Sequence, residues 1–484
     1  MKKLFFYITI LFFTFLFFFS CNKETDDIEI PEPPSDEQAL LFPKKEMRGV
    51  WIVTAWELDW PQGEYVTQAQ KNQFIDYLDR FKELNINAVF VQIRPMGDAF
   101  YDSPYEPWSA SITGERGKNP GYDVLQFMID EAHNREIEFH AWINPYRIAT
   151  RSNSGVSFPP LHPSIDPTWV VSHEKIQIYN PAIPEVRQRL CDIVEDVITK
   201  YDVDGIHFDD YFYPDPSSAG QMISDNADYE RYGSGYSSIK DFRRANVDKA
   251  IKGVHDVILA TKPEIVFSIS PAANNEYNFN TLYADVTKWC RESWIDVVIP
   301  QLYYEIGNPY NDFRSRLNWW AQYNYNAALM IGYGYYRFGD PSAPSAFQST
   351  AELENQFNLT KRNPKVVGNI LYSAKYILLN RIGITDKLSD IFKFPSVIPF
   401  LGRNVAPPPP KPENVRIENG ILKWSVANQA KSVVYYFNDL NKEGRVYSIT
   451  RENSIPVSSS GYYCVSTLNS DNMESEPSHI VQKK

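Results

Sequence analysis

The stretch DVDGIHFDDYFYP, residues 202–214, runs from an apolar segment through His207 into two adjacent aspartates, Asp209 and Asp210, and then into aromatic residues and proline. Side-by-side carboxylates repel one another and are costly to dehydrate, so a fold keeps such a pair half-buried mainly where water, a partner group or chemistry requires it. Two carboxyl groups flanking a cleft suit glycoside hydrolysis, in which one donates a proton to the leaving oxygen and the other attacks or activates water. Side chains alternate faces along a strand, which puts His207, Asp209 and Tyr211 on one side and Asp210 on the other. Asp209 is therefore expected inside the cleft and Asp210 at its rim. Neighbours in sequence leave little room to flank a sugar ring, so the second acid has to come from another strand end. Glu305, after QLYY, has the matching parity and aromatic neighbours that exclude water and favour a proton donor; Glu276 and Glu57 are the alternatives on nearby loops. A structural use of the pair stays open, with one aspartate capping a helix and the other facing Arg94 or Arg147.

Other runs also turn polar toward their ends. Gln92 and Arg94 share a face, as do His140, Trp142, Asn144 and Tyr146, then Ser268 and Ser270, then Gln301, Tyr303 and Glu305. Arg94, Asn144, Tyr146, Gln301 and Tyr303 are candidates for orienting hydroxyls, and Trp142 for a stacking wall. His140 and His207 are candidate contacts too, although a lone histidine is more often a satisfied core or rim residue. Neither they nor the cysteines have metal-ligand spacing, so no metal and no cofactor is expected.

The elements that must position these residues alternate. Candidate strands fall at 48–53, 87–94, 137–147, 204–210, 265–271, 296–305, 327–336 and 366–376, with amphipathic helical patterns between them such as 67–85, 122–136, 184–201 and 240–262. Eight alternations predict an α/β chain closed into a (β/α)8 barrel over residues 46–405, with active-site groups at the C-terminal ends of its strands; a doubly wound open sheet is the competing architecture. No glycine-rich phosphate loop follows any strand.

The Pro-rich run at 406–412 should be a stiff linker. Residues 413–484 alternate as short strands around Trp424 and resemble a fibronectin type III module, a small immunoglobulin-like sandwich, with Tyr462 or Tyr463 in the tyrosine-corner place. At the other end, two lysines precede a mainly apolar stretch from Leu4 to Phe19, with Ser20 directly before Cys21. That pattern reads as a signal peptide over 1–20. Its end resembles a bacterial lipobox, which implies lipidation of Cys21, and residues 21–45 form an acidic, Pro-containing tether. The expectation is an exported outer-membrane lipoprotein, facing the periplasm or the surface. A formal charge of −12 argues against a nucleic-acid partner, while 31 Tyr, 29 Phe and 11 Trp tilt the composition toward a sugar ligand.

MRGVW at 47–51, NPGYDVLQFMIDEAH at 119–133, HAWINPYR at 140–147 and VDGIHFDDYFYP at 203–214 together resemble the glycosyl hydrolase-like 10 family of bacterial envelope proteins. The resemblance covers most of residues 45–400. It implies a TIM barrel acting on a polysaccharide, and at least one member is linked to cleaving peptidoglycan strands that have lost their peptides. The fourth stretch also resembles faintly the DGxDxDxE strand of chitinase-type barrels: Asp204 and Gly205 match and Asp209 falls on the last aspartate, but Tyr211 stands where the proton-donating glutamate would be. Substrate-assisted chemistry of that kind is therefore not expected. The expected protein is a lipid-anchored glycoside hydrolase with Asp209 as nucleophile or stabiliser, Asp210 beside it and Glu305 as acid, or alternatively a glycan-binding lipoprotein without catalysis.

Overall fold

Short runs rich in Val, Ile and Phe alternate with amphipathic helices, and the strands pair in parallel in chain order until the last meets the first. The computed structural model describes residues 40–484 apart from 64, 154, 220–224, 404–406 and 428–429. The leader, Cys21 and most of the tether lie outside the described residues. The barrel strands are β1 (Met47–Ile52), β2 (Ala88–Arg94), β3 (Glu138–Ile143), β4 (Gly205–Phe208), β5 (Val266–Ile269), β6 (Val297–Val298), β7 (Ala328–Tyr333) and β8 (Val366–Tyr372). Each neighbours the next, and β8 pairs with β1 through Met47 opposite Gly368 and Trp51 opposite Tyr372, which closes the barrel. The helices that follow them are α1 (Thr67–Glu83), α2 (Val124–His133), α3 (Pro184–Lys200), α4 (Ile239–Thr261), α5 (Val286–Arg291), α6 (Phe313–Tyr323), α7 (Thr350–Arg362) and α8 (Ile384–Ile391).

Alternation along each strand makes two cores. On β1, Met47 and Trp51 point inward to join Phe90, Trp142, Met330 and Ile370, while Val50 and Ile52 point outward against the helices. Helix starts are fixed locally: Asp123 accepts a hydrogen bond from Gln126 N, Ser238 from Asp241 N and Asp312 from Ser315 N, and Pro184 stands first in α3. Gly205 opens β4 because nothing larger fits there: a Cβ would lie 2.2 Å from His140 Nδ1 and 2.8 Å from Val266 O.

Most strands end sooner than the sequence pattern suggests, and three of these early ends shape the mouth. β3 stops at Ile143, because Pro145 has no N–H for the ladder and Arg147–Thr150 turns away to pair antiparallel with Ile176–Tyr179. β4 stops at Phe208, just before the two aspartates. β6 keeps only Val297 and Val298 before Pro300, with isolated bridges at Gln301. A register shift in β2 between Gln92 and Arg94 adds a residue against β3. Face assignments beyond these points no longer follow strand parity.

Residues 413–484 form β9 (Glu413–Glu418), β10 (Ile421–Ser425), β11 (Lys431–Phe437), β12 (Arg445–Thr450), β13 (Ser454–Pro456), β14 (Gly461–Leu468) and β15 (Val481–Lys483). They make two antiparallel sheets, ordered β9-β10-β13 and β12-β11-β14-β15, around a shared core of Val415, Leu422, Trp424, Val434, Tyr463 and Val465. Trp424 donates to Ser432 Oγ at 2.9 Å, and Tyr463 donates to Ser459 O at 2.7 Å. The sheets pack on the N-terminal end of the barrel, where Glu136 meets Lys431 at 2.8 Å and Arg451 at 2.9 Å, and Asn472 reaches Glu138.

Candidate active site

Asp209 and Asp210 stand at the C-terminal end of β4, where the ladder releases the chain. Asp209 is 3% exposed, and its carboxylate is held from two directions. Oδ2 accepts from Asn144 Nδ2 at 3.0 Å and from Trp142 Nε1 at 3.3 Å, and Oδ1 accepts from Tyr211 N at 3.2 Å. Burial pushes its pKa up to about 6, against the pull of Arg147 and of those three donors.

Asp210 is half-buried and lies toward the Gln301 side chain, beyond the end of β6, which favours its charged form. Burial raises its pKa to about 7, helped by the charge of Asp209 and, less, of Asp215. β4 ends at Phe208, and beyond it Asp210 is more open to solvent than Asp209. The two carboxylates diverge from one strand tip, Asp209 toward β3 and Asp210 toward β6. Burial thus holds both carboxyls above the usual carboxylate range. Gln301 also donates to Ser270 O at 2.8 Å, and half-buried Tyr303 stacks on Tyr372 at 5.6 Å with Tyr336 beside it at 6.1 Å.

Beneath this level the barrel is filled. His207 is fully buried; Trp51 Nε1 donates to its Nε2 at 3.0 Å, and Ser268 Oγ lies 2.8 Å from its Nδ1. Because Nε2 accepts, Nδ1 carries the proton. Burial and the neighbouring His140 hold the pKa of His207 well below the usual imidazole range, so the ring is neutral and forms the floor under Asp209.

Several expected contacts lie elsewhere. Arg94, past the shift in β2, points away from the barrel interior: it pairs with Glu106 at 2.8 Å and donates to Asn144 O, so it braces the β3 end from behind. His140 sits a layer below the mouth, stacked on Phe90 at 4.4 Å, with Nε2 3.2 Å from Glu138. Tyr146 is fully buried in the outer core, since the chain has turned at Asn144 and Pro145. Trp142 is 5% exposed and gives Asp209 its N–H edge rather than a stacking face. Asn144 is fully buried and positions Asp209. Glu305 accepts from Asn308 Nδ2 at 3.0 Å within its own turn, and no hydrogen bond or ion pair joins it to either aspartate among the described residues. Its other oxygen, Oε2, is buried without a hydrogen-bond partner among the described residues.

The rim carries a residue that strand parity does not single out. Arg147, from the sequence only a candidate structural partner, lies over the rings of Trp56 and Tyr211, each 5.0 Å away, and those rings are 63% and 40% exposed. HAWINPYR placed Arg147 near the strand end, but only the turn after Ile143 brings it beside Asp209. Among the described residues, no group of three or more His, Cys, Asp or Glu side chains is placed to hold a metal ion.

The family pattern of glycosyl hydrolase-like 10 matches residues 46–348, which include both aspartates and the strands that carry them. The chain is 37% identical over 428 residues to glycosyl hydrolase YngK of Bacillus subtilis, covering 83% of this chain and 84% of that protein. It is 34% identical over 383 residues to glycosyl hydrolase DigH of Escherichia coli (strain K12), covering 72% of this chain and 86% of that protein. Among solved structures, the PgaB (BpsB) glycoside hydrolase domain from Bordetella bronchiseptica aligns with a TM-score of 0.49 at 12% identity, over 72% of this chain and 99% of that one. With the family pattern spanning most of the barrel and two relatives matched over most of their length, the chain belongs to the glycosyl hydrolase-like 10 family.

Proposed function

We propose that the protein is a glycoside hydrolase that cuts a bacterial cell-wall glycan or another polysaccharide at the β4 mouth. The observation that carries the reading is the divergent pair on one strand tip, with the two carboxyl groups in unlike surroundings. Asp209, held by three donors and facing Arg147, is ionised first and serves as nucleophile or as stabiliser of the oxocarbenium-like transition state. Asp210, with the higher pKa, keeps its proton near neutrality and takes the general-acid role that the sequence alone gave to Glu305. Gln301 and Tyr303 orient the sugar beside Asp210. The chemistry calls on no cofactor.

The relatives' printed names support the glycosidic reading, and the cell-wall substrate rests on the family resemblance. The protein is exported and anchored through lipid on Cys21, in keeping with its leader pattern. The C-terminal sandwich is a fibronectin type III-like module, a reading supported by its three-plus-four strand order, buried Trp424 and the Tyr463 hydrogen bond to Ser459.

The test is to incubate purified protein with peptide-free peptidoglycan strands and with plant and host polysaccharides, resolving products by mass and anomer. The wild type should generate new reducing ends from at least one glycan and Asp209→Asn none, while that variant still binds. A glycan-binding protein without catalysis gives no reducing ends from the wild type.

A further inference from the structure

Buried guanidinium groups are costly to leave unpaired, and those in this protein follow that rule: Arg94 pairs with Glu106 and Arg243 with Asp225. Arg147 departs from it. It is 3% exposed, and its Nε donates to Pro95 O at 3.1 Å. Among the described residues, neither terminal nitrogen has a hydrogen-bond partner or ion pair, and neither is closed off from solvent. The group is nonetheless fixed in direction, because it lies over the rings of Trp56 and Tyr211, both of which open onto solvent.

Its place relative to Asp209 is also fixed. Asn144 accepts from Arg147 N at 3.3 Å through Oδ1 and donates to Asp209 through Nδ2. Arg147 makes no hydrogen bond to Asp209, whose carboxylate accepts instead from Trp142, Asn144 and the Tyr211 amide, so the guanidinium acts on that charge only from a distance. What remains is a planar fork of N–H donors with no protein partner among the described residues, near enough to Asp209 to act on its charge and packed against two solvent-exposed rings. Such a fork matches a carboxylate in two parallel hydrogen bonds. We propose that Arg147 is the receptor for a carboxylate on the sugar bound next to Asp209, so that the substrate is an acidic glycan. The flanking Trp56 and Tyr211 rings keep the fork rigid and give the sugar an apolar face to rest on.

This inference rests on the glycan reading above, and its test separates the two. Binding is measured by calorimetry on the full-length Asp209→Asn protein, which removes turnover, and reducing-end release by the wild type is scored separately. The probes are polygalacturonate, hyaluronate and peptide-free cell-wall strands, each native and with its carboxylates reduced to alcohols. At least one native glycan should bind tenfold or more tightly than its reduced form, and adding Arg147→Met should bring the two forms to equal affinity. Arg147→Lys, a point charge without the fork, should keep only part of the preference. Circular dichroism and thermal unfolding establish that each variant is folded, and the comparison of native with reduced glycan on the Asp209→Asn protein stands without any Arg147 variant. Equal binding of both forms, or a preference that survives Arg147→Met, overturns the proposal whether or not reducing ends appear. A preference that vanishes with Arg147, from a wild type that releases no reducing ends, sustains the carboxylate site and sinks the hydrolase reading alone.

Discussion

At the scale of single residues, two aspartates that share a backbone differ through what surrounds them. Asp209 has three hydrogen-bond donors and a nearby guanidinium to support its charge, whereas Asp210 has Gln301 and the repulsion of Asp209. If the first must be ionised and the second protonated, kcat/KM should be bell-shaped. Activity falls as pH drops through about 6, where Asp209 takes up a proton, and falls again as pH rises through about 7, where Asp210 loses its own. The two limbs belong to the pair as coupled values. A pH–rate profile checks this, and a flat response from pH 5 to 8 would count against it. Asp209→Asn should lower kcat by at least about a thousandfold, of the order seen when a principal catalytic group is removed. Stability carries the opposite mark of the same shift. Both folded-state pKa values lie above the unfolded carboxyl value of about 3.9, so the folded protein holds more protons and loses stability as pH rises from there to about 7. Asp210→Asn should flatten that fall in urea titrations.

At the scale of elements, the site depends on where strands stop. β4 releases its chain at Phe208, so Asp209 and Asp210 diverge, and β3 releases at Ile143, so Asn144 and Arg147 swing to meet Asp209. Below them, close packing of β4 against β3 sets the height of the tip. Gly205 lets the His140 ring lie against the β4 backbone, and a methyl group there would meet Nδ1 at 2.2 Å and a backbone carbonyl at 2.8 Å. Gly205→Ala should therefore cost about 1–3 kcal/mol in denaturant unfolding through overpacking. Wild-type stability in that variant would show that the strand moves freely. The eight strands were legible in the sequence because buried β-branched runs and amphipathic helices have distinct periods. Their ends were less so, because a single proline or bulge resets which face a side chain takes. Arg94 and Tyr146 lie at or past such resets, and that is where their face assignments failed.

At the scale of the whole molecule, chemistry and packing occupy opposite ends of the barrel. The C-terminal sandwich covers the N-terminal end through Glu136, Glu138 and Lys45, far along the strands from the β4 mouth. Removing residues 407–484 should lower Tm by exposing that end, yet leave reducing-end release per folded molecule within about twofold at low temperature, since none of the module's described residues bonds to a group at the mouth; complete loss of activity in folded, truncated protein would place the sandwich in the function. The other end of the chain carries its own test. In cells given an alkyne fatty acid, the wild type should be labelled and Cys21→Ser should not, with the variant leaving the membrane fraction.

The sequence by itself determined the alternation of strands and helices, the position of the two aspartates at a strand end and the family resemblance, because these depend on local periodicity and short motifs; the closure of the sheet, against an open one, came from the pairing of β8 with β1. Only the tertiary structure decided which polar residues meet. Asp210 stands beside Asp209 at the β4 tip while Glu305 bonds within its own turn, Arg94 and His140 become supports, and Arg147 keeps a donor fork without a partner among the described residues. The physical reason is that a carboxylate's surroundings come from other strands, through bulges and strand ends that sequence spacing does not encode.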